Sequence, residues 1–367
     1  MKKITILFAI FLILNISTTT SDPLEDLIRR LHLDPLGIIL NLVLSLLRGL
    51  LGPTLPLNNA ELKELTETLK ELSELGYSIS QEELLRIAQN VADINKITYN
   101  IEFDARTKWP GCKSIIDYVQ HQGYCGSCWA HSAASAYTDR HCIELLKKVS
   151  SIPNNASYTF SAYDLLSCSK ENGCDGGRAV EAYRWIEKNG ICTGTDFPRK
   201  DGCKPYPFAP TVKEPKLEGC KKNLALTQDG DQLILLIENT MALKDVGAVG
   251  GEANIEKQLK NGPVSAAFVV YEDFNAYTDG VYRVFFIYSL SIKSFFIQHV
   301  TGKVKGGHAV VIVGYGTATC NGEKVPFWII RNSWGPKWGK GGFFYIRRGK
   351  DECNIETRGI AYATPKI

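Results

Sequence analysis

The chain has 367 residues, 44% of them hydrophobic, and a formal net charge of +3. This length and hydrophobic content are sufficient for one large folded domain or two smaller ones. Because the charges nearly balance, the composition gives no reason to expect nucleic acid or an anionic membrane surface as a partner.

The N-terminal residues have the pattern of a secretory signal peptide. Lys2 and Lys3 precede an apolar run from Ile4 to Ile16, and small polar residues from Ser17 to Ser21 follow it. The run is too short for a comfortable membrane span. We therefore predict a signal peptide at residues 1–20, a secreted, extracellular or lysosomal location, and no membrane span in the mature form. The eleven cysteines favour the same oxidising compartment, and their odd number leaves at least one thiol outside disulfides.

Residues 21–100 differ from the rest of the chain, since they contain many leucines but no cysteine or tryptophan. Leu36–Leu51 is apolar but interrupted by polar residues, which favours an amphipathic or buried helix over a membrane anchor. Leucine recurs at spacings of three and four from Leu62 to Leu72, which predicts an amphipathic helix. A second predicted helix begins at Ser80, where Glu83 completes a capping box. We predict a removable helical pro-segment at residues 21–100, with an N-terminal helical subdomain as the alternative.

The sequence QGYCGSCWA, from Gln122 to Ala130, places Cys128 between a glycine-bearing turn and a predicted helix. A thiol at the first turn of a helix lies among unsatisfied backbone N–H groups and at the positive end of the helix dipole, which favour the thiolate. Cys125 to Trp129 also match the C-G-[SA]-C-[WY] signature around the nucleophile of papain and the cathepsins. We therefore predict that Cys128 is a thiol nucleophile, which needs a base, a residue that orients the base, and an oxyanion donor.

From Phe103 to the C-terminus the chain resembles the cathepsin B-like members of the papain-like cysteine proteases. The resemblance rests on the nucleophile motif and on six further segments in the order of the family: FDARTKWPGC at 103–112, CDGG at 174–177, GCKPY at 202–206, NGPVSAAFVVYEDF at 261–274, GGHAVVIVGYG at 306–316 and NSWGPKWGKGGFFYIRRG at 332–349. It implies an α+β, papain-like two-lobed fold, with a helical left lobe, a β-barrel-like right lobe and the active-site cleft between them. It assigns residues 101–367 to the peptidase domain and implies no cofactor or metal.

The resemblance also implies the roles of the catalytic residues. His308 would hold Cys128 as a thiolate and then protonate the leaving amine as a general acid. Asn332 would fix the tautomer and orientation of the imidazole. Trp334 would shield that hydrogen bond from water, with ordinary core packing as the alternative. Gln122 would offer its side-chain N–H to the oxyanion, beside the backbone N–H of Cys128.

Three features bear on how a substrate would bind. Gly176 and Gly177 leave a bare backbone edge that an extended peptide could approach, with a tight turn as the alternative. Arg358 falls where cathepsin B has a glutamate at the floor of the pocket for the second residue before the scissile bond. An arginine there would repel arginine in the substrate and tolerate acidic or apolar residues, unless its side chain turns to solvent. The segment from Cys203 to Cys220 is short and lacks histidine, which makes dipeptidyl carboxypeptidase activity doubtful and favours endopeptidase action.

The resemblance implies two disulfides, of which the second braces the loop beside the nucleophile: Cys112–Cys142 and Cys125–Cys174. Cys220 has two candidate partners, Cys203 and Cys168, and the sequence does not choose between them. Three cysteines have no assigned role: Cys192, Cys320 and Cys353. Asn155 opens a glycosylation sequon in a polar stretch.

Residues 284–298, VFFIYSLSIKSFFIQ, interrupt the resemblance, and the flanking residues join smoothly once they are removed. The insertion begins with valine, ends with glutamine and is rich in residues with T-rich codons, which fits the GT and AG boundaries of a short intron. We interpret it as a retained or mispredicted intron. The alternative is a surface hydrophobic hairpin that contacts a membrane or a partner.

The sequence thus predicts a cysteine endopeptidase that acts through an acyl-enzyme intermediate and is made as a secreted zymogen. Its expected partners are protein and peptide substrates, its own pro-segment and cystatin-like inhibitors. One alternative is a catalytically impaired cathepsin B-like homologue that binds peptides or inhibitors, and another is a membrane- or partner-binding protein built on the same fold. His131 stands where the family usually has phenylalanine, and it is either a packing substitution or a second imidazole that perturbs Cys128.

Overall fold

The computed structural model describes residues 97–169, 172–220, 243–284, 298–299, 303–320 and 323–367. The predicted signal peptide, most of the predicted pro-segment and residues 285–297 of the insertion lie outside this range, so the structure does not test those predictions. Within the described ranges, no helix is both long enough and apolar enough to cross a membrane.

The described residues form six α-helices, of which the third is the longest: α1 Ala105–Lys108, α2 Lys113–Ile116, α3 Cys128–Leu145, α4 Ala162–Cys168, α5 Ala179–Asn189 and α6 Glu252–Leu259. Helix α3 is buried on nearly all of its faces, as expected for a helix that runs through the interior of a domain. By contrast, α5 buries only one face, through Ala182, Tyr183 and Ile186. Its chain leaves the helix at Gly190, whose φ of 73° disfavours any other residue.

Nine strands form one sheet in the described part of the chain: β1 Thr98–Asp104, β2 Leu243–Val249, β3 Val264–Tyr271, β4 Val281–Val284, β5 Gln298–His299, β6 Val304–Cys320, β7 Glu323–Arg331, β8 Phe343–Arg347 and β9 Ile360–Pro365. The strand order is β2–β9–β3–β6–β7–β8–β4–β5, and β1 pairs with one end of β6. The two ends of the predicted insertion, Val284 and Gln298, lie in β4 and β5, which pair in parallel.

The predicted combination of helices with a β-rich part is confirmed, but the β-rich part is not closed into a barrel within the described residues. The terminal strands of the order, β2 and β5, do not pair with each other. Leu243 and Val246 of β2 pack instead against the buried residues of the helices. The helical part therefore covers this edge of the sheet, in place of a neighbouring strand.

Helix α3 lies directly against the sheet, and this contact positions the two halves of the site described below. Ala309 of β6 and Ala361 of β9 belong to the same buried cluster as Trp129 and Tyr137 of α3. Small alanine side chains on the strands allow the helix to approach closely. The first residue of α3 is thereby held beside the part of β6 that contains His308.

Buried polar contacts fix the same interface. Arg331, at the end of β7, donates to Asp139 of α3 at 2.7 Å, with only 3% and 1% of the two side chains exposed. The guanidinium of Arg140, the next residue of α3, donates to Thr364 Oγ1 at 2.8 Å and to the carbonyl oxygen of Pro263 at 2.7 Å. Because each buried charge has hydrogen-bond partners, these contacts hold helix and sheet in one relative position.

Candidate active site

Cys128 is the first residue of α3, as the sequence predicts, and Ser127 is the residue that precedes the helix. The loop before it is held by the Cys125–Cys174 disulfide and by a hydrogen bond of 2.9 Å from Gly126 N–H to the carbonyl oxygen of Cys174. A Cβ on Gly126 would lie 2.1 Å from that oxygen, so only glycine permits this approach. The thiol is therefore presented from a rigid turn.

The sulfur of Cys128 accepts hydrogen bonds from the backbone N–H groups of Ala309, on β6, and Trp129, on its own helix. These donors lower the pKa of the thiol, but burial has the larger effect and raises the pKa above its ordinary value. The backbone N–H groups at the helix start thus favour the thiolate, as the sequence predicts, although they do not offset the effect of burial. Formation of a thiolate requires a positive partner, and the hydrogen bond to Ala309 places the sulfur next to the residue that follows His308.

His308 lies on β6, opposite Phe268 of β3, and is the fifth residue of the strand rather than its start. Its Nε2 is 2.7 Å from Asn332 Oδ1. Ser333 N–H donates to the same oxygen at 2.8 Å, which identifies that atom as the acceptor. Nε2 of His308 must therefore carry the proton, and Nδ1 is the nitrogen left to accept one.

Burial lowers the pKa of His308 to about 4, although the hydrogen bond with Asn332 acts in the opposite direction. The ring of Trp334 lies over the imidazole, with the two ring centroids 4.8 Å apart and the planes tilted by 30°. This contact covers the histidine from one side and fits both of the roles considered for Trp334. Burial therefore favours the neutral imidazole, and a charge on it must be balanced by a negative charge nearby.

Gln122 is joined to the loop that carries Asn332. Its backbone N–H donates to the carbonyl oxygen of Ser333 at 2.9 Å, and its side-chain Oε1 accepts from Ser333 Oγ at 2.6 Å. Its Nε2 donates to the carbonyl oxygen of Cys125 at 3.0 Å, within the nucleophile loop. The amide is thus oriented from both sides, with its nitrogen towards the nucleophile loop.

Sequence reasoning did not identify Ser333 and Tyr206 as parts of this site. Ser333 follows Asn332 directly in the segment NSWG, and its three hydrogen bonds join Gln122 to Asn332. Tyr206 belongs to the segment GCKPY, and its hydroxyl donates to the carbonyl oxygen of Gln122 at 2.7 Å. Both residues lie in segments that the resemblance includes, which is the only signal that could have found them.

The two predicted substrate-binding glycines occupy different environments. A Cβ on Gly177 would lie 2.6 Å from the indole of Trp129, whereas a Cβ on Gly176 would have no atom within 4 Å. Gly176 has a φ of +108°, which disfavours any other residue. The glycine pair therefore packs on the nucleophile helix at one position and leaves open space at the other.

Arg358 is exposed, but its guanidinium remains close to the strand that carries His308. Nη2 of Arg358 lies 3.5 Å from the position that a Cβ on Gly307 would occupy. The backbone of Arg358 accepts a hydrogen bond of 3.2 Å from Ala267 N–H on β3. Its cationic group is thus next to the residue that precedes His308, and it is also in contact with solvent.

The structure contains both disulfides that the resemblance implies, Cys112–Cys142 and Cys125–Cys174. It also joins Cys220 to Cys168, which resolves the choice that the sequence left open. No group of three or more histidine, cysteine, aspartate or glutamate side chains is placed to hold a metal ion in the part of the chain that the structure describes.

His131 is packed inside the helical part. Its Nδ1 lies 3.3 Å from Ser127 Oγ and 3.1 Å from the carbonyl oxygen of the same residue, and its ring makes an edge contact with Tyr206. Burial lowers its pKa to about 4. These contacts are those of a neutral packed residue, in agreement with the first of the two interpretations.

Comparison with known proteins identifies the family to which this site belongs. Residues 99–363 match the family described as papain family cysteine protease. The chain is 39% identical over 267 residues to the gut-specific cysteine proteinase of Caenorhabditis elegans. The match covers 71% of this chain and 72% of that protein. It is 37% identical over 272 residues to a cathepsin B-like cysteine proteinase of Schistosoma japonicum, which covers 71% of this chain and 72% of the relative.

A solved structure is similar as well. Procathepsin B S9 from Trypanosoma congolense is 31% identical in sequence and has a TM-score of 0.54. The match covers 79% of this chain and 82% of the procathepsin chain. This similarity confirms the papain-like fold that the sequence predicts. The chain therefore belongs to the papain family of cysteine proteases and is cathepsin B-like within it.

Proposed function

We propose that the protein is a cysteine endopeptidase in which Cys128 attacks the scissile carbonyl and His308 transfers the proton. One observation carries this proposal. The Cys128 sulfur is hydrogen bonded to the N–H of Ala309, the residue after His308, while Asn332 holds the far nitrogen of the same imidazole at 2.7 Å. A nucleophile, a base and an orienting residue are thus assembled from α3, β6 and the loop after β7.

The pKa directions support a proton transfer inside the site. Burial raises the pKa of Cys128 and lowers the pKa of His308, so each group alone favours its neutral form. Transfer of the thiol proton to Nδ1 of His308 creates a thiolate and an imidazolium together, and each charge stabilises the other. The hydrogen bond from Nε2 to Asn332 then retains the ring in the orientation that presents Nδ1.

The reaction follows from these positions. The thiolate adds to the substrate carbonyl, and the imidazolium gives its proton to the leaving amine, which produces an acyl-enzyme. Water then attacks the acyl carbon with His308 as the base, and the thiol is regenerated. The oxyanion of each tetrahedral intermediate would accept hydrogen bonds from the Cys128 backbone N–H and from Gln122 Nε2, whose second hydrogen is not used by Cys125.

The test compares hydrolysis of an internally cleaved peptide, blocked at both ends, by the activated protein and by two variants. We expect Cys128→Ser and His308→Ala to lose at least about 10³-fold in kcat/KM, because each removes a member of one catalytic unit. Retention of most of the activity by either variant would contradict the proposal. Release of C-terminal dipeptides as fast as internal cleavage would contradict the endopeptidase assignment.

Arg358 is proposed to set the preference for the second residue before the scissile bond. Its guanidinium lies beside Gly307, next to the catalytic histidine, so a cationic substrate side chain there would be repelled. We expect Arg-Arg reporters to be cleaved less well than Phe-Arg reporters, and Arg358→Glu to reverse the order. Arg184→Glu makes the same charge change on an exposed helical surface and should leave the order unchanged. Equal or better Arg-Arg cleavage by the unmodified enzyme would contradict this role.

We further propose that the enzyme is made as a secreted or lysosomal zymogen, with residues 1–20 as signal and residues 21–100 as pro-segment. The similarity to a procathepsin B supports a zymogen, and the three described disulfides fit an oxidising compartment. Asn155 is exposed, as an attached glycan requires. N-terminal sequencing of the active natural protein should give a start near residue 101, and a start before residue 50 would contradict the pro-segment assignment.

Cystatin-like inhibitors are proposed to compete with substrate at the same site.

A further inference from the structure

Cys192 and Cys203 lie side by side at the surface of the helical part. The structure contains both as thiols, and the two thiols are hydrogen bonded to each other. Both residues are half-buried, so a small reagent can reach them. The sequence indicates no role for Cys192 and offers Cys203 only as a partner of Cys220, which is bonded to Cys168 instead.

The backbone on either side of the thiols holds the two segments in fixed register. Lys204 N–H donates to the carbonyl oxygen of Thr193 at 2.9 Å, and Tyr206 N–H donates to that of Thr195 at 2.8 Å. A Cβ on Gly194 would lie 2.2 Å from the carbonyl oxygen of Lys204. Only glycine permits this approach, and the contact between the thiols is therefore a consequence of the local fold.

A buried ion pair lies beside the two thiols, and the hydrogen bond between them makes Cys203 the more acidic thiol. The buried ammonium of Lys204 lies 3.1 Å from Asp164 Oδ1 and 3.0 Å from the sulfur of Cys168. The hydrogen bond with Cys192 lowers the pKa of Cys203 to about 7, although burial and the charge of Asp164 act in the opposite direction. The same hydrogen bond, with burial, raises the pKa of Cys192. One thiol of the pair is thus the better nucleophile, and the other is placed to react second.

We propose that Cys192 and Cys203 are a redox-active dithiol that closes to a fourth disulfide. The oxidant is a low-molecular-weight disulfide such as glutathione disulfide. The Cys203 thiolate attacks one sulfur of this reagent, forms a mixed disulfide and releases one glutathione thiolate. Cys192 then loses its proton and attacks the Cys203 sulfur, which releases the second glutathione thiolate. The protein loses two hydrogens and is oxidised, and one glutathione disulfide is reduced to two thiols.

Closure of this disulfide would also affect the catalytic site through Tyr206, three residues after Cys203. The Tyr206 hydroxyl donates to the carbonyl oxygen of Gln122 at 2.7 Å and lies 2.8 Å from Ser127 Oγ. A covalent link at Cys203 would restrict the segment that supports the candidate oxyanion residue. This consequence rests on the proposed function, whereas formation of the disulfide does not.

The test uses the full chain with Cys128→Ala, so that neither autolysis nor the nucleophile contributes. The protein is incubated with glutathione disulfide, alkylated with iodoacetamide under denaturing conditions and digested without reduction for mass spectrometry. We expect a linked pair of peptides that contains Cys192 and Cys203. We also expect the melting temperature to rise by about 5–10 °C on oxidation, because the link constrains the unfolded chain.

Two further variants serve as controls. Cys192→Ser should abolish the linked peptide and the rise in melting temperature, whereas Cys353→Ser should change neither, since Cys353 is buried at a different place. Alkylation of both Cys192 and Cys203 after oxidation would overturn the proposal, and so would a link from either one to Cys168 or Cys220. Because the protein in this test is inactive, its result is independent of whether the proposed peptidase activity is correct.

Discussion

The buried imidazole of His131 makes the stability of this protein depend on pH in a way that one substitution can remove. The residue is 1% exposed, and burial lowers its pKa from 6.5 to about 4. A phenylalanine would keep the edge contact with Tyr206 but carries no titratable group. We therefore expect His131→Phe to be less sensitive to acid than the unmodified chain.

Proton binding by the folded and unfolded chains determines how much the free energy of unfolding changes with pH. Above pH 6.5 the imidazole is neutral in both the folded and the unfolded chain, so its titration does not affect stability. Between pH 6.5 and 4 the unfolded chain binds a proton that the folded chain excludes, and stability falls as the pH is lowered. At about 1.4 kcal/mol per pH unit, this interval corresponds to a loss of about 3 kcal/mol. The loss is complete near pH 4, where the folded state also accepts the proton.

The assay is urea-induced unfolding of the full chain at pH 7 and at pH 4, with Cys128→Ala in every sample to prevent autolysis. The free energy of unfolding should fall by about 3 kcal/mol less in His131→Phe than in the parent. His121→Phe is the matched control. Because His121 is only half-buried, this variant should change the pH dependence less. Equal losses in the parent and in His131→Phe would refute the assignment of a neutral buried imidazole.

Three other substitutions test individual contacts. Arg331→Met leaves the Asp139 carboxylate buried without its partner; it should lower the free energy of urea-induced unfolding by about 3–5 kcal/mol, and a loss below about 1 kcal/mol would contradict this role. Gly177→Val places a side chain against the Trp129 indole and should cost about 1–3 kcal/mol of stability, whereas an unchanged melting temperature would show that the contact is not tight. Asn332→Ala removes the group that orients the imidazole; kcat should fall by about 10²-fold or more with little change in KM, and a change confined to KM would assign the residue to substrate binding instead.

The catalytic residues were predictable because each lies in a short segment with a characteristic sequence. Cys128 follows the glycine-bearing turn, and His308 and Asn332 lie in GGHAVVIVGYG and NSWG. The helix at Cys128 and the strand through His308 also follow from local pattern. Comparison of segments cannot measure the distance between residues far apart in the chain. Their approach to one another depends on the packing of α3 against β6, which only the folded structure displays.

The features that the sequence did not reveal all depend on contacts between distant segments. Ser333 joins Gln122 to the loop of Asn332 through two hydrogen bonds, and nothing in its own residue type indicates this. The net direction of the pKa of Cys128 depends on tertiary contacts in the same way. The helix start is visible in the sequence, but the burial that outweighs its effect on the pKa is not. The failure of the sheet to close at β2 likewise depends on contacts between distant segments, because β2 packs against the helices.

The central claim is that Cys128 is a nucleophile activated by His308, and labelling with a peptidyl epoxide tests it most directly. The activated protein is treated with the reagent at neutral pH, and the modified residue is located by mass spectrometry. We predict stoichiometric modification of Cys128, none at that position in Cys128→Ala, and a rate at least about 10²-fold lower in His308→Ala. Modification of another cysteine in preference to Cys128, or an equal rate in His308→Ala, would contradict the claim.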